Sequence, residues 1–323
     1  MTAPSPAPNR RWRDLALIGG LLVLVLAGLA GLAIATGWEE TRAELAKFGW
    51  AQVGILLVLS LVNYGMRAVR WHLFTRRLDL PTHLGQSIRH FFGGFAMSVT
   101  PGRVGELIRL RWLSRETGAS LDRTAPLVLV DRAADLAAMG LALGLTLALG
   151  AGGIAYATPV AALAVALAVI VTRPALLSRI VTLTFRLTGR APRLMSRARR
   201  AALSLGLFTE PKLLTAVGLL SLFGWLAEGY AFHLLLVWFG AELDMATAIA
   251  IFLFATLAGG LTGAPGGLGG AEIAMVALLT LKGISPEVAI AATSIIRLTT
   301  LWFAIAIGLA VFPIAERKAA KAL

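Results

Sequence analysis

Ten ionisable side chains are embedded in long apolar stretches: Arg103, Glu106, Arg109, Arg111, Asp131, Arg132, Asp135, Glu228, Glu272 and Arg297. Placing charge in an apolar medium is costly, so each needs a partner or a task. The set holds five acids and five bases, and the simplest chemistry open to it is mutual ion pairing that fixes the surrounding segments. A second chemistry is available to the arginines. A guanidinium can hold a phosphate through two parallel charge-assisted hydrogen bonds, which makes Arg103, Arg109 and Arg297 candidate phosphate ligands. In that arrangement Glu106, Asp131, Arg132, Asp135, Glu228 and Glu272 would orient those arginines or carry a coupling proton.

Two Pro-Gly breaks set the positions of these groups. Residues 100–111 read TPGRVGELIRLR and residues 264–272 read APGGLGGAE. In each a glycine follows the proline by four residues, Gly105 after Pro101 and Gly269 after Pro265, and a carboxylate comes next, Glu106 or Glu272. Proline has no backbone donor and glycine weakens a helix, so both stretches should leave backbone groups free. In a bilayer such groups persist only where protein buries them or where they line a wet cavity. Gly102 and Gly105 leave room for a headgroup beside the first break, and a helix beginning there would add N–H groups for an anion. The second break, with Gly266, Gly267 and Gly269, carries no arginine and would supply backbone donors or a hinge.

The composition places these sites in a membrane. Of 323 residues 58% are hydrophobic and 15% charged, with a mean hydropathy of +0.80, as in a polytopic membrane protein. The net charge of +13 comes from arginines between apolar runs, the pattern of cytoplasmic loops beside anionic lipid headgroups. No nucleic-acid-binding module is recognisable. There is no cysteine, hence no disulfide or thiol chemistry, and no HExxH, GxSxG or Walker A sequence. No metal site and no cofactor are expected. His72, His83, His90 and His233 are scattered, and His72 and His90 read as headgroup contacts near the cytoplasmic face.

Charge and hydropathy then give a topology. Residues 1–14 form a disordered basic N-terminus. The run 15–36 is about 33 Å long as a helix, enough to span. Ala33-Ile34-Ala35 resembles a signal-cleavage site, but the run is longer than a usual signal h-region, which favours a retained helix. Runs at 50–71, 124–149, 154–172, 213–239 and 288–312 complete about six full spans. Arg67 and Arg70 lie one turn apart at the end of the second; snorkelling to headgroups and a phosphate clamp are both open to them. Basic residues flank the first Pro-Gly stretch on both sides, which requires a re-entrant hairpin at 84–113. The count of crossings makes 246–281 a second hairpin, entering from the opposite face. The fold expected is all-α and polytopic, with two opposed re-entrant hairpins arranged as an inverted repeat. The integral domain is 15–312, with a cytoplasmic basic segment at 173–212 lying on the membrane surface, followed by a cytoplasmic tail at 313–323. Both termini are expected in the cytoplasm of a bacterial inner membrane.

The TPGRVGELIR stretch, the DRAAD segment at 131–135 and PGGLGGAE with Arg297 in the last span resemble the flippase-like transmembrane region of lysylphosphatidylglycerol synthases. The resemblance covers about 51–312 and does not extend to the soluble synthase domain, so no synthase activity is carried over. It implies translocation, between leaflets, of an anionic or phosphate-linked lipid such as a modified phospholipid or a polyprenyl-phosphate glycolipid. The other readings are an intramembrane transferase on a lipid-linked substrate and an accessory subunit of a lipid-modifying enzyme.

Overall fold

A computed structural model describes residues 48–98, 104–149, 157–188, 205–262 and 264–322, with positions 23 and 203 besides. The run at 15–36, the first tip with Pro101, Gly102 and Arg103, and residues 189–202 lie outside the described residues. Every regular element described is helical. The helices are α1 (Trp50–Arg77), α2 (Leu84–Gly94), α3 (Val104–Thr117), α4 (Pro126–Ala148), α5 (Ala157–Thr172), α6 (Pro174–Thr188), α7 (Pro211–Trp238), α8 (Met245–Leu261), α9 (Gly270–Leu281), α10 (Pro286–Arg297) and α11 (Phe303–Lys321).

The boundaries follow local chemistry. Pro126, Pro174, Pro211 and Pro286 each open a helix, where the missing N–H costs nothing and the fixed φ suits the first turn. Asp244 caps α8 by accepting from the Thr247 N–H at 2.9 Å. Its partial burial works the other way, but these capping bonds hold the carboxyl below the usual carboxylate range. His83 caps α2 through Nδ1, and Ser285 caps α10. The second Pro-Gly stretch is a tight 3-10 turn at Pro265–Gly267 in which Gly266 (φ 64°), Gly267 (φ 69°) and Gly269 (φ 79°) all adopt the left-handed region that side chains disfavour.

Three described helices are long and apolar enough to cross a membrane: Trp50–Arg77, Pro211–Trp238 and the continuous Pro286–Lys321. The last runs through a π turn at Leu298–Trp302 immediately after Arg297 and continues across residues set apart above as a tail. Helix α4 has 23 residues and carries the Asp131, Arg132 and Asp135 charges. Helices α5 and α6 meet at 92°, and α6 carries Arg179 and Arg186 on exposed positions with no acidic residue.

The element order repeats. A helix of 28 residues, α1, precedes the short pair α2–α3 with its 3-10 turn at Phe95–Met97 and then the long α4. Another of 28 residues, α7, precedes the short pair α8–α9 with its own 3-10 turn and then the long α10–α11. The two 28-residue helices pack on each other, and α7 also packs on α8, α4 and α10. One core cluster joins α4, α5, α7, α8, α9 and α10, and a second surrounds Trp71, Phe74, Leu113 and Phe208.

The α2–α3 pair is tied down by charge. Glu116 of α3 accepts from Arg89 at 2.6 Å and from Gln86 at 2.6 Å, and His90 Nε2 lies 3.3 Å from it. His90 is fully buried, so the headgroup contact expected for it is not made: the ring is shielded between Glu116 and Trp112. His72 faces Ser87, 3.0 Å from its hydroxyl. On α11, Glu316 accepts from Arg111 at 2.8 Å, Arg115 at 3.1 Å and the buried Trp112 indole N–H at 2.7 Å. Glu316→Gln keeps an acceptor for the indole and removes only partly exposed ion pairs, so the expected loss is below about 1 kcal/mol. Glu316→Ala strands a buried donor and should cost about 1–3 kcal/mol. Thermal unfolding of both variants in detergent checks the difference.

Candidate functional site

The DRAAD segment puts Asp131 and Asp135 one turn apart on the buried face of α4. Arg67 and Arg70, also one turn apart, come to them from α1. Arg70 is fully buried; Nη2 lies 2.5 Å from Asp131 Oδ1, Nη1 2.9 Å from Asp135 Oδ1, and Nη1 also donates to Ser221 Oγ at 2.8 Å. It therefore neither snorkels nor reaches a ligand, because its donors are consumed by the two aspartates. Arg67 donates to the other oxygen of Asp135 at 2.9 Å and lies over the rings of Trp225 (5.3 Å) and Phe91 (5.6 Å). Trp225 donates its indole N–H to Asp135 at 3.2 Å.

Arg132 bridges three carboxylates: Asp131 and Asp135 at 3.0 Å each and Glu106 of α3 at 3.2 Å. Arg109, 5% exposed, is 3.6 Å from Asp131 and is held between Trp71 (4.5 Å) and Phe91 (4.8 Å). Such cation–π contacts replace part of the hydration that burial removes. On the other side Arg297 donates Nε to Glu272 at 2.6 Å and Nη2 to the Gly266 carbonyl at 3.1 Å. This ties the second Pro-Gly turn to the end of α10. Here the turn offers an acceptor to the protein's own arginine, while the Gly267 N–H is taken by Ala264. Beyond Arg297 the π turn leaves the Thr300 carbonyl to accept from the Tyr64 hydroxyl. Single π turns of this kind gather at functional positions.

All of this surrounds one cavity of about 550 Å³. Arg67, Arg109, Arg132 and Arg297 line it, as do Glu106, Asp135 and Glu228. Apolar side chains also line it, among them Leu136, Met139, Leu167, Phe252 and Leu257. Of the residues singled out from sequence, Arg109, Arg132, Arg297, Glu106, Asp135, Glu228, Gly266 and Gly267 meet at the cavity. Asp131 and Glu272 lie directly behind the arginines they hold. Gly105 sits in the first turn of α3, and Gly269 caps α9 and is not among the residues lining the cavity. Gly102 and Arg103 fall outside the described residues. Tyr64 and Trp225 belong to the lining with no signal in the sequence, and Arg67, whose spacing to Arg70 left a phosphate clamp open, joins them there. Among the described residues no cluster of His, Asp and Glu could hold a metal ion.

Charged and apolar side chains lining one cavity suit a molecule with an ionic end and a hydrocarbon end. The profile of the family described as "Lysylphosphatidylglycerol synthase TM region" matches residues 16–308. A curated "UPF0104 membrane protein" of Methanothermobacter thermautotrophicus is 26% identical over 317 residues, 91% of this chain and 94% of that protein. A second match with the same description, from the same organism, is 34% identical over 95 residues, 29% of this chain and 28% of that protein. The family match and the three long apolar helices make the chain a multi-pass membrane protein; both relatives are archaeal, and a specifically bacterial inner membrane does not follow from them.

Proposed function

Since the chain belongs to the family of lysylphosphatidylglycerol synthase transmembrane regions, we propose that it translocates an anionic or phosphate-linked lipid between leaflets. The observation that carries this reading is the convergence of Arg67, Arg109, Arg132 and Arg297 on one cavity that apolar side chains also line. The arginines engage the phosphate of the headgroup, and the apolar side chains receive the start of the acyl chains. Asp131, Asp135, Glu106 and Glu272 hold the guanidiniums in place. In this reading the chain has about six full spans, and α2–α3 and α8–α9 are re-entrant hairpins entering from opposite faces. The repeated element order supports that arrangement. Both termini lie on the basic, cytoplasmic side, where α6 rests on anionic headgroups. A lipid-modifying enzyme upstream would supply the substrate.

Reconstitution in liposomes tests the proposal. The wild-type protein alone should accelerate leaflet exchange of a fluorescent phosphatidylglycerol. Arg109→Ala and Arg297→Ala should each lose at least about tenfold of that rate, the scale of one charge-assisted hydrogen bond. Full exchange in both variants would remove the phosphate-clamp assignment. A new covalent lipid product formed with an added donor would instead make the protein a transferase, and activity only with a partner would make it an accessory subunit.

A further inference from the structure

Glu228 stands apart from the other acids of the cavity. It lies at the middle of α7, is 5% exposed and lines the cavity. Glu106 pairs with Arg132, and Asp135 with Arg67, Arg70 and Arg132. Glu228 has no hydrogen bond and no ion pair among the described residues. The ionisable groups that act on it come from every side: Arg67 and Tyr64 on α1, Asp135 on α4 and Arg297 on α10. Helix α8 presents Phe252, Thr256 and Leu257 to the same cavity and no charge. Both arginines are already committed, Arg67 to Asp135 and Arg297 to Glu272. A carboxylate buried this deeply without its own partner is strongly disfavoured, and it is relieved by taking up a proton or a cation.

The charge inventory shows what the proton does. Around the cavity the described residues supply Arg67, Arg70, Arg109, Arg132 and Arg297 against Glu106, Asp131, Asp135, Glu272 and Glu228. With Glu228 ionised, cations and anions balance and a phosphate enters as surplus negative charge. With Glu228 neutral, the cluster carries one net positive charge, which a phosphodiester monoanion cancels. We propose that Glu228 is a proton-binding site and that one proton and one lipid phosphate occupy the cavity together. The proton comes from water and resides on the Glu228 carboxyl; the lipid fills the arginine side. Binding of either favours the other by the same factor. Affinity for the phosphate is thus full while Glu228 is protonated and is lost as pH rises, by up to about tenfold per pH unit above its titration. The inference rests on the anion-binding reading of the cavity.

The test is calorimetric binding of short-chain phosphatidylglycerol to the detergent-solubilised full chain, from about pH 5 to about pH 9, the range in which buried carboxyls titrate. Two buffers of different ionisation enthalpy give the proton count. Wild-type protein should take up about one proton per lipid bound at the high-pH end and bind more weakly as pH rises. Glu228→Gln, which mimics the neutral acid, should bind at high pH as tightly as wild type does at low pH, without proton uptake. Wild-type binding that is flat with pH, or proton uptake that persists in Glu228→Gln, overturns the proton site and leaves the anion-binding reading intact. Tighter binding of phosphatidylethanolamine than phosphatidylglycerol, abolished by Glu228→Gln, overturns it in favour of a cation on the ligand. If Glu228→Gln does not fold, proton counts on wild type alone decide: none taken up sinks the inference. No phosphatidylglycerol binding at any pH removes the anion-binding reading, and the inference falls with it.

Discussion

Arg70→Met is expected to remove a large part of the protein's stability, and to do so without touching the cavity. The guanidinium is fully buried and donates to Asp131, Asp135 and Ser221. Methionine matches much of the stem's volume but supplies no donor. Two carboxylates then lose their main cation inside the α1–α4–α7 contact, with Arg132 and Arg67 left to share them. Removing one partner of a buried pair costs about 3–5 kcal/mol, against a total stability of about 5–15 kcal/mol for a domain. The folded-to-unfolded ratio should fall by a factor of about 100 or more. Yield of monodisperse protein and thermal unfolding in detergent measure this. The partner change Asp131→Asn, made in the same chain, should recover part of the loss, because it removes the stranded charge. A single variant unfolding within about 2 °C of wild type would show that the pair is not what joins these helices.

Arg67 and Arg70 show how far sequence reaches. Their spacing announced a shared helical face, and snorkelling or a phosphate clamp followed from it. In the structure one turn separates a cavity arginine from an entirely internal one. What divides them is the position of α4, and that depends on packing among α1, α4 and α7 rather than on any local pattern. The intramembrane charges themselves were legible, because charge in an apolar run is costly wherever it occurs. So was the glycine-rich second break, where three positive φ values need glycine. Convergence of these groups on one cavity was not, since it requires knowing how the short helix pairs pack. Glu316 looked like part of a polar tail; its partners Arg111, Trp112 and Arg115 are about 200 residues away in sequence, beyond any periodicity. The π turn after Arg297 also had no sequence signal.

Gly308 was equally silent, one glycine in an apolar run, yet the structure makes it a point of contact between α11 and the turn beside the cavity. A Cβ there would lie 2.1 Å from the Ala96 nitrogen and 2.6 Å from the Phe95 carbonyl carbon. These are backbone atoms, so no rotamer change can make room. Overpacking against mobile side chains costs about 1–3 kcal/mol; against backbone the expected cost of Gly308→Ala is about 3 kcal/mol or more. The strain falls on Phe95–Met97, whose Phe95 and Met97 line the cavity, so lipid exchange should drop along with stability. Gly218 supplies the control, a glycine in the exposed interior of α7 with nothing within 4 Å of a Cβ. Gly218→Ala should stabilise by about 0.5–1 kcal/mol through helix propensity alone. The same added methyl group is therefore expected to act with opposite sign at two helix positions, as read by thermal unfolding in one detergent. Equal shifts for the two variants would mean that α11 does not approach the Phe95–Met97 turn as closely as Gly308 allows, and the short α2–α3 pair would then be free to part from it.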